Sequence, residues 1–236
     1  PKFFTRISQA TSVSLMDQSG KAVAVGSLRG ATAAFTHMDE QQGRAGTVTA
    51  LVLKGKGAAN AVPVPQAAPI VNAPAIANTP PHTLSDMDMQ AINRDYGLGC
   101  KRPTYTPDVV HTRLDKRTTL AVVGDPCGSG GGGSNPSSFA FLIDEEGRVS
   151  KASIEHNGDD PTMANMIAGS WWDTKNRLLG SFGKSRGLGD CGQLWSYAWD
   201  GAMFRIVKEA AMPDCRGSYD YITTYRATVK FAREIP

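Results

Sequence analysis

The sequence predicts a mainly β protein with a few short helices (α+β), an antiparallel β-sandwich or meander stapled by disulfides. Beyond residue 100, short apolar segments follow one another with tight turns between them, such as Glu146-Gly147 and Asp200-Gly201. Connections that short favour antiparallel pairing. Helical stretches are brief, near 31–43, 85–96 and 162–168. The four cysteines, Cys100, Cys127, Cys191 and Cys215, are even in number and widely spaced, the arithmetic of a disulfide framework.

In chain order, residues 3–7, 11–17 and 21–28 read as strands, the last two joined by a turn at Gln18-Ser19-Gly20. Ala31, Ala34, Phe35 and Met38 then fall at helical spacing, and Gly43 ends that helix. Residues 47–53 suit a short helix or a strand equally. The segment 56–83 holds six prolines and eight alanines with no periodic apolar face. Proline removes backbone donors and fixes φ, so this stretch is expected to run extended. Val62, Val64, Ile70, Val71 and Ile76 make it apolar enough for a strap on a domain surface. Ser85 and Asp88 start a helix in the manner of a capping box, with Gly97 as its stop. Strands are expected at 118–124, 138–143, 148–155, 177–182, 193–199, 202–210 and 225–231, with a minor helix at 162–168. The expected organisation is therefore the end of an amino-terminal β domain with short helices (1–55), an extended strap or linker (56–83), and a disulfide-containing antiparallel β domain (84–236).

The clearest local unit is the hairpin bracketed by Cys191 and Cys215. A two-residue turn at Asp200-Gly201 sets Trp199 opposite Ala202, Tyr197 opposite Phe204 and Trp195 opposite Ile206, all on one face. That aromatic face reads chiefly as core. Three pairings of four cysteines are possible. Cys100–Cys127 and Cys191–Cys215 are preferred because each closes a local loop of similar size, contributing roughly 3 kcal/mol apiece. Disulfides persist in oxidising compartments, which points outside the cytoplasm.

Composition excludes several classes. A net charge of +3 with scattered Lys and Arg gives no basic tract for nucleic acid, and no apolar run approaches the ~20 residues of a membrane helix. No cofactor is expected. Gly187, Gly189 and Gly192 spell the dinucleotide fingerprint, but an aromatic strand follows where a helix is required. Ser181 and Lys184 match S-x-x-K without its supporting motifs. His37, His82, His111 and His156 are dispersed, and the cysteine spacings fit no zinc pattern. Asn157, Asp159 and Asp160 offer oxygen ligands in a glycine-containing turn without full EF-hand spacing, so no metal site is expected. The residues most open to a binding role are Arg186, Asp190, Asp214 and Arg216, which flank the two cysteines, with Trp171, Trp172 and Trp195 nearby.

The motifs RGLGDCG (186–192), WDG (199–201), MPDCRG (212–217), WWD (171–173) and MDEQQGRAGTVTAL (38–51) stand in an order that resembles a bacterial family, domain of unknown function 1176 (DUF1176), over roughly residues 11–226. The resemblance implies an exported, periplasmic protein of Gram-negative bacteria whose amino-terminal part is similar to invasion-associated locus B proteins. It supports the same cysteine pairing and supplies no activity. The chain departs from the family pattern at 128–134, a Gly/Ser run that is flexible by composition. Two functions are expected to compete: a non-catalytic envelope protein that binds a partner protein or glycan beside Cys191 and Cys215, and a periplasmic hydrolase whose catalytic groups come from distant positions.

Overall fold

A computed structural model of the chain describes residues 2–95, 108–125, 135–155 and 164–233. The chain parts between Ala67 and Ala68 into two units, each with its own internal packing.

The first unit opens with α1 (Lys2–Gln9), so the strand expected at 3–7 is a helix. Phe3 and Ile7 lie four apart, a helical repeat, and Phe4 meets Phe35 edge-on at 5.5 Å. An antiparallel hairpin follows, β1 (Ser12–Met16) and β2 (Ala22–Ser27), then α2 (Ala31–Gln41). Residues 47–53 are neither helix nor strand. They wrap as turns around the fully buried Asp39 of α2, whose carboxylate accepts N–H groups from Leu51 (2.7 Å), Val52 (2.8 Å) and Leu53 (3.0 Å). Burial alone would raise the pKa of Asp39, but the three donors and the Arg44 guanidinium outweigh it and hold the carboxyl below its ordinary value.

The second unit is a β-sandwich partly covered on both outer faces. The strap contributes β3 (Ile70–Ala73), and α3 (Asp86–Asp95) begins on the expected box: Ser85 N–H and Oγ donate to Asp88 at 2.8 and 2.6 Å. One sheet runs β4 (Val109–Arg113), β5 (Thr119–Gly124), β6 (Ser137–Ile143), β7 (Val149–Lys151), with β8 (Met166–Ala168) also on β6. The other is ordered β13-β12-β11-β10-β9, from β9 (Trp171–Asp173), β10 (Leu178–Lys184), β11 (Gly192–Trp199), β12 (Phe204–Met212) and β13 (Ile222–Arg226). Between them lies the main core, in which Leu120, Val122 and Ile167 meet Leu179, Tyr197, Trp199 and Phe204. On the far side of the first sheet, Ile92 of α3 packs over Val123, Phe139 and Phe141. Beyond the second sheet, β14 (Thr228–Phe231) pairs in parallel with β3, and Val71 and Val229 cover Leu178, Ala198 and Val207. Arg177 fastens this cover: its guanidinium donates to Pro74 O at 2.8 Å and stands 4.4 Å over the Phe231 ring.

Aspartate-led turns close five hairpins. Asp17, Asp115, Asp144, Asp173 and Asp200 each accept a backbone N–H two or more residues onward, a side-chain mimic of a turn hydrogen bond. This chemistry corrects the hairpin register. Asp200 takes the N–H groups of both Ala202 and Met203 at 2.8 Å, so the loop has four residues and Trp199 faces Phe204, not Ala202. Tyr197 then faces Ile206, and a bulge after Ser196 sets Trp195 opposite Glu209. Three further expectations change. Met166–Ala168 of the expected minor helix is β8, because Asn165 Nδ2 caps Ala140 O at 2.9 Å and turns the chain onto the edge of β6. The strand expected at 148–155 ends at Lys151 and continues only as a bridge between Ile154 and Phe204. That expected at 225–231 breaks at buried Ala227, whose N–H bonds Val207 O, and its two halves join different sheets.

Candidate functional site

The loop between β10 and β11 and the chain after β12 are tied together where the hairpin opens. Cys191 is fully buried and bonded to Cys215, with the Cα atoms 4.8 Å apart. The last hairpin pair, Gly192 with Met212, lies directly beside it. Gly192 has φ +139°, and a Cβ there would strike the Gly183 carbonyl of the neighbouring strand, so only glycine lets the chain turn so tightly into β11. The glycine fingerprint is thus a loop that feeds a strand.

Arg186 and Asp190 form the polar half of this knot. Arg186 Nε donates to Asp190 Oδ1 at 2.7 Å, and its Nη2 donates both to Oδ2 and to Cys215 O, the latter at 3.1 Å. Gly217 N–H completes the set, 2.6 Å from Oδ2. Asp190 is fully buried, and chiefly the Arg186 guanidinium, aided by Gly217 against the cost of desolvation, holds its carboxyl far below the usual carboxylate range. Tyr221 stacks edge-on against Phe182 and donates its hydroxyl to Gly189 O at 3.1 Å.

The residues singled out from the sequence therefore divide. Arg186 and Asp190 bond each other and clamp the loop. Asp214 and Arg216 project into solvent and make no ion pair among the described residues. Trp172 and Trp195 pack, half-buried, against the central core. Trp171 lies on the opposite face of the sheet, 42% exposed. The pair Cys100–Cys127, His156, the Asn157–Asp160 turn and the 128–134 run lie outside the described residues.

Sequence reasoning did not find the row in which Trp171 stands. Successive cross-strand pairs are Trp171 with Gly180, Gly180 with Ser196, Ser196 with Lys208 and Lys208 with Arg226, one line across all five strands. Residues directly opposite share a face, here the outer face beyond the β3–β14 cover. A Cβ on Gly180 would lie within the indole, 2.5 Å from Cδ2, so the ring lies flat on the glycine backbone. Lys208 and Arg226 make no ion pair among the described residues. Loop and bulge together bring Lys208 into this row: a two-residue turn would set Ser196 opposite Arg205, and the four-residue loop without the bulge would set it opposite Val207.

Elsewhere, Ser181 Oγ donates to Ala168 O at 2.9 Å on a strand, where S-x-x-K residues point to opposite faces. His111 Nε2 accepts the Leu84 N–H at 3.0 Å, and burial lowers its pKa. Hollows of about 250 Å³ (beside Asp88, Ile92 and Lys151) and about 320 Å³ (beside Asn72, Asp200 and Arg205) contain none of the candidate residues. Among the described residues, no three His, Cys, Asp or Glu side chains gather as a metal site, and no helix is long and apolar enough to cross a membrane.

Sandwich, knot and exposed rim define a disulfide-stapled, mainly β chain with a clamped surface loop. The family model described as protein of unknown function (DUF1176) matches residues 1–228, and the chain belongs to that family. It is 29% identical over 216 residues to an uncharacterised protein of Escherichia coli K12, YpfG, a match covering 85% of this chain and 60% of that relative's length. The chain thus spans about 60% of the curated relative it matches. No solved structure matches it.

Proposed function

We propose that the protein is an exported, periplasmic protein that acts by binding a cell-envelope partner, not by catalysis, through the surface next to Cys191–Cys215. On this reading residues 1–55 belong to an amino-terminal domain of the invasion-associated locus B type. The observation that carries the proposal is the knot itself. A disulfide and the ion pair of exposed Arg186 with buried Asp190 hold one short loop in place, while Asp214, Arg216, Leu188 and Tyr219 on the same loops remain in solvent. Fixing a surface before the partner arrives lowers the ordering cost of binding, and a disulfide in that position suits an oxidising compartment.

The test has two parts. Cysteine alkylation of fractionated cells should find the protein oxidised and in the periplasm. Capture from the same envelope fraction should weaken in an Arg216→Ala/Tyr219→Ala variant that keeps the wild-type unfolding midpoint. A reduced cytoplasmic protein defeats the first part, and undiminished capture defeats the second. Arg186 is a poor probe, because its removal would unclamp Asp190.

A further inference from the structure

We propose that the outer row of the second sheet is a binding site for an acidic oligosaccharide. This rests on the binding reading above, extends that surface from Tyr221 on Phe182 along the same face of β10 to Gly180, and names the chemistry of the ligand. The row begins at Trp171, whose indole lies flat on Gly180 and presents its other side to solvent. A flat apolar ring bordered by small polar groups fits a pyranose, which has one C–H face and a hydroxyl edge. Gly180 and Ser196 supply the small floor of the row.

Charge completes the match. Lys208 and Arg226 are direct cross-strand partners, and like charges placed opposite each other are destabilising. No ion pair among the described residues relieves them. Lys184, two rows away on the same face, adds a third cation, its Nζ 5.7 Å from the Phe182 centroid. Asp173, two residues along β9 from Trp171 and so on the same face, is occupied by Asn176 at 2.7 Å and sits at the far edge from Lys208 and Arg226. An anionic group is therefore attracted to the Lys208–Arg226 end, while a ring is received at the Trp171 end. Trp171 and Lys208 are three strand spacings apart, about 14 Å between backbones, which calls for a chain of several sugars with acidic groups along it. A single-stranded nucleic acid would want successive aromatic platforms, and this row has one.

The probe is a hexamer of galacturonic acid, titrated calorimetrically into the full chain with its disulfide intact. Maltohexaose and a single-stranded hexadeoxynucleotide serve as controls. The proposal expects hexagalacturonate to bind in preference to both, more weakly as salt rises. Trp171→Ala and Lys208→Gln/Arg226→Gln should each weaken it about tenfold or more without moving the unfolding midpoint. Lys208→Glu tests the charge should Trp171→Ala lose stability. Equal binding of maltohexaose, preference for the oligonucleotide, no binding, or variants that bind like wild type overturn the proposal. If the acidic sugar fails while envelope capture still depends on Arg216 and Tyr219, the glycan assignment falls and the broader binding reading stands. If both fail, both fall.

Discussion

Replacing Cys191 by Ala and Cys215 by Ser tests the knot most simply. Alanine suits the buried position, where a serine hydroxyl would be left beside the Asp190 carboxylate; serine suits the exposed one. The sequence separation of 24 residues gives a loop-closure contribution of about 3.5 kcal/mol at 25 °C. Hairpin contacts that persist in the unfolded chain reduce this, to about 2 kcal/mol at the low end. The variant should therefore unfold more readily by roughly 30-fold to several hundredfold. The assay is urea unfolding followed by tryptophan emission. All four tryptophans, Trp171, Trp172, Trp195 and Trp199, lie in the second unit, so the signal reports the unit that carries the disulfide. The denaturant slope should also rise, because the uncrosslinked chain exposes more surface. A loss below about 0.5 kcal/mol would refute the reasoning. The ion-pair half of the knot makes the two latches partly redundant. In the cysteine variant the rim stays docked through Asp190, and adding Asp190→Asn should release residues 213–221 to proteolysis far beyond the sum of the single changes.

Gly180→Ala should lift the Trp171 ring off the strand, since the new methyl occupies the ring's place; a change in acrylamide quenching of tryptophan emission checks this, and an unchanged signal refutes the stacked geometry. His111 should make stability pH-dependent. Its folded pKa is lowered by burial, and its neutral Nε2 accepts the Leu84 N–H. Its contribution is complete above the ordinary value of about 6.5 and is lost as pH falls through the depressed folded value. Urea midpoints should thus decline on acidification in the wild type and decline less in His111→Gln. Phe204→Ala, at a fully buried ring that packs on Trp199, should cost about 3–5 kcal/mol by chemical denaturation, and a loss under about 1 kcal/mol would show that the sandwich core is elsewhere.

The class of fold was legible because its cause is local. Alternating strands and the Ser85–Asp88 box act within a few residues of themselves, and an even cysteine count signals disulfides before any partner is assigned. Register was not legible, and the reason is chemical. Asp-Gly has the residues of a two-residue turn, yet the Asp200 carboxylate binds two N–H groups and opens a four-residue loop. The same side-chain chemistry at Asp115 and Asp173 marked two turns that composition alone passed over. The N-terminal residues 3–7 satisfy strand and helix propensity alike, and the contact of Phe4 with Phe35 decides between them. For the candidate site, the clustering of Arg186 and Asp190 around a disulfide could be read in advance. Their mutual clamp could not, nor could the row from Trp171 to Arg226, because it is assembled from five strands and depends on a bulge after Ser196.

The measurement that bears most directly on a binding surface on the outer face of the second sheet is an amide chemical-shift map of the isotopically labelled, oxidised chain, titrated with an acidic glycan fraction from the cell envelope. Saturable shifts are expected to concentrate at Gly180, Ser196, Lys208 and Arg226, together with the Trp171 indole N–H. Shifts centred on residues 1–67, or no shifts at any concentration, would contradict a binding role for this face.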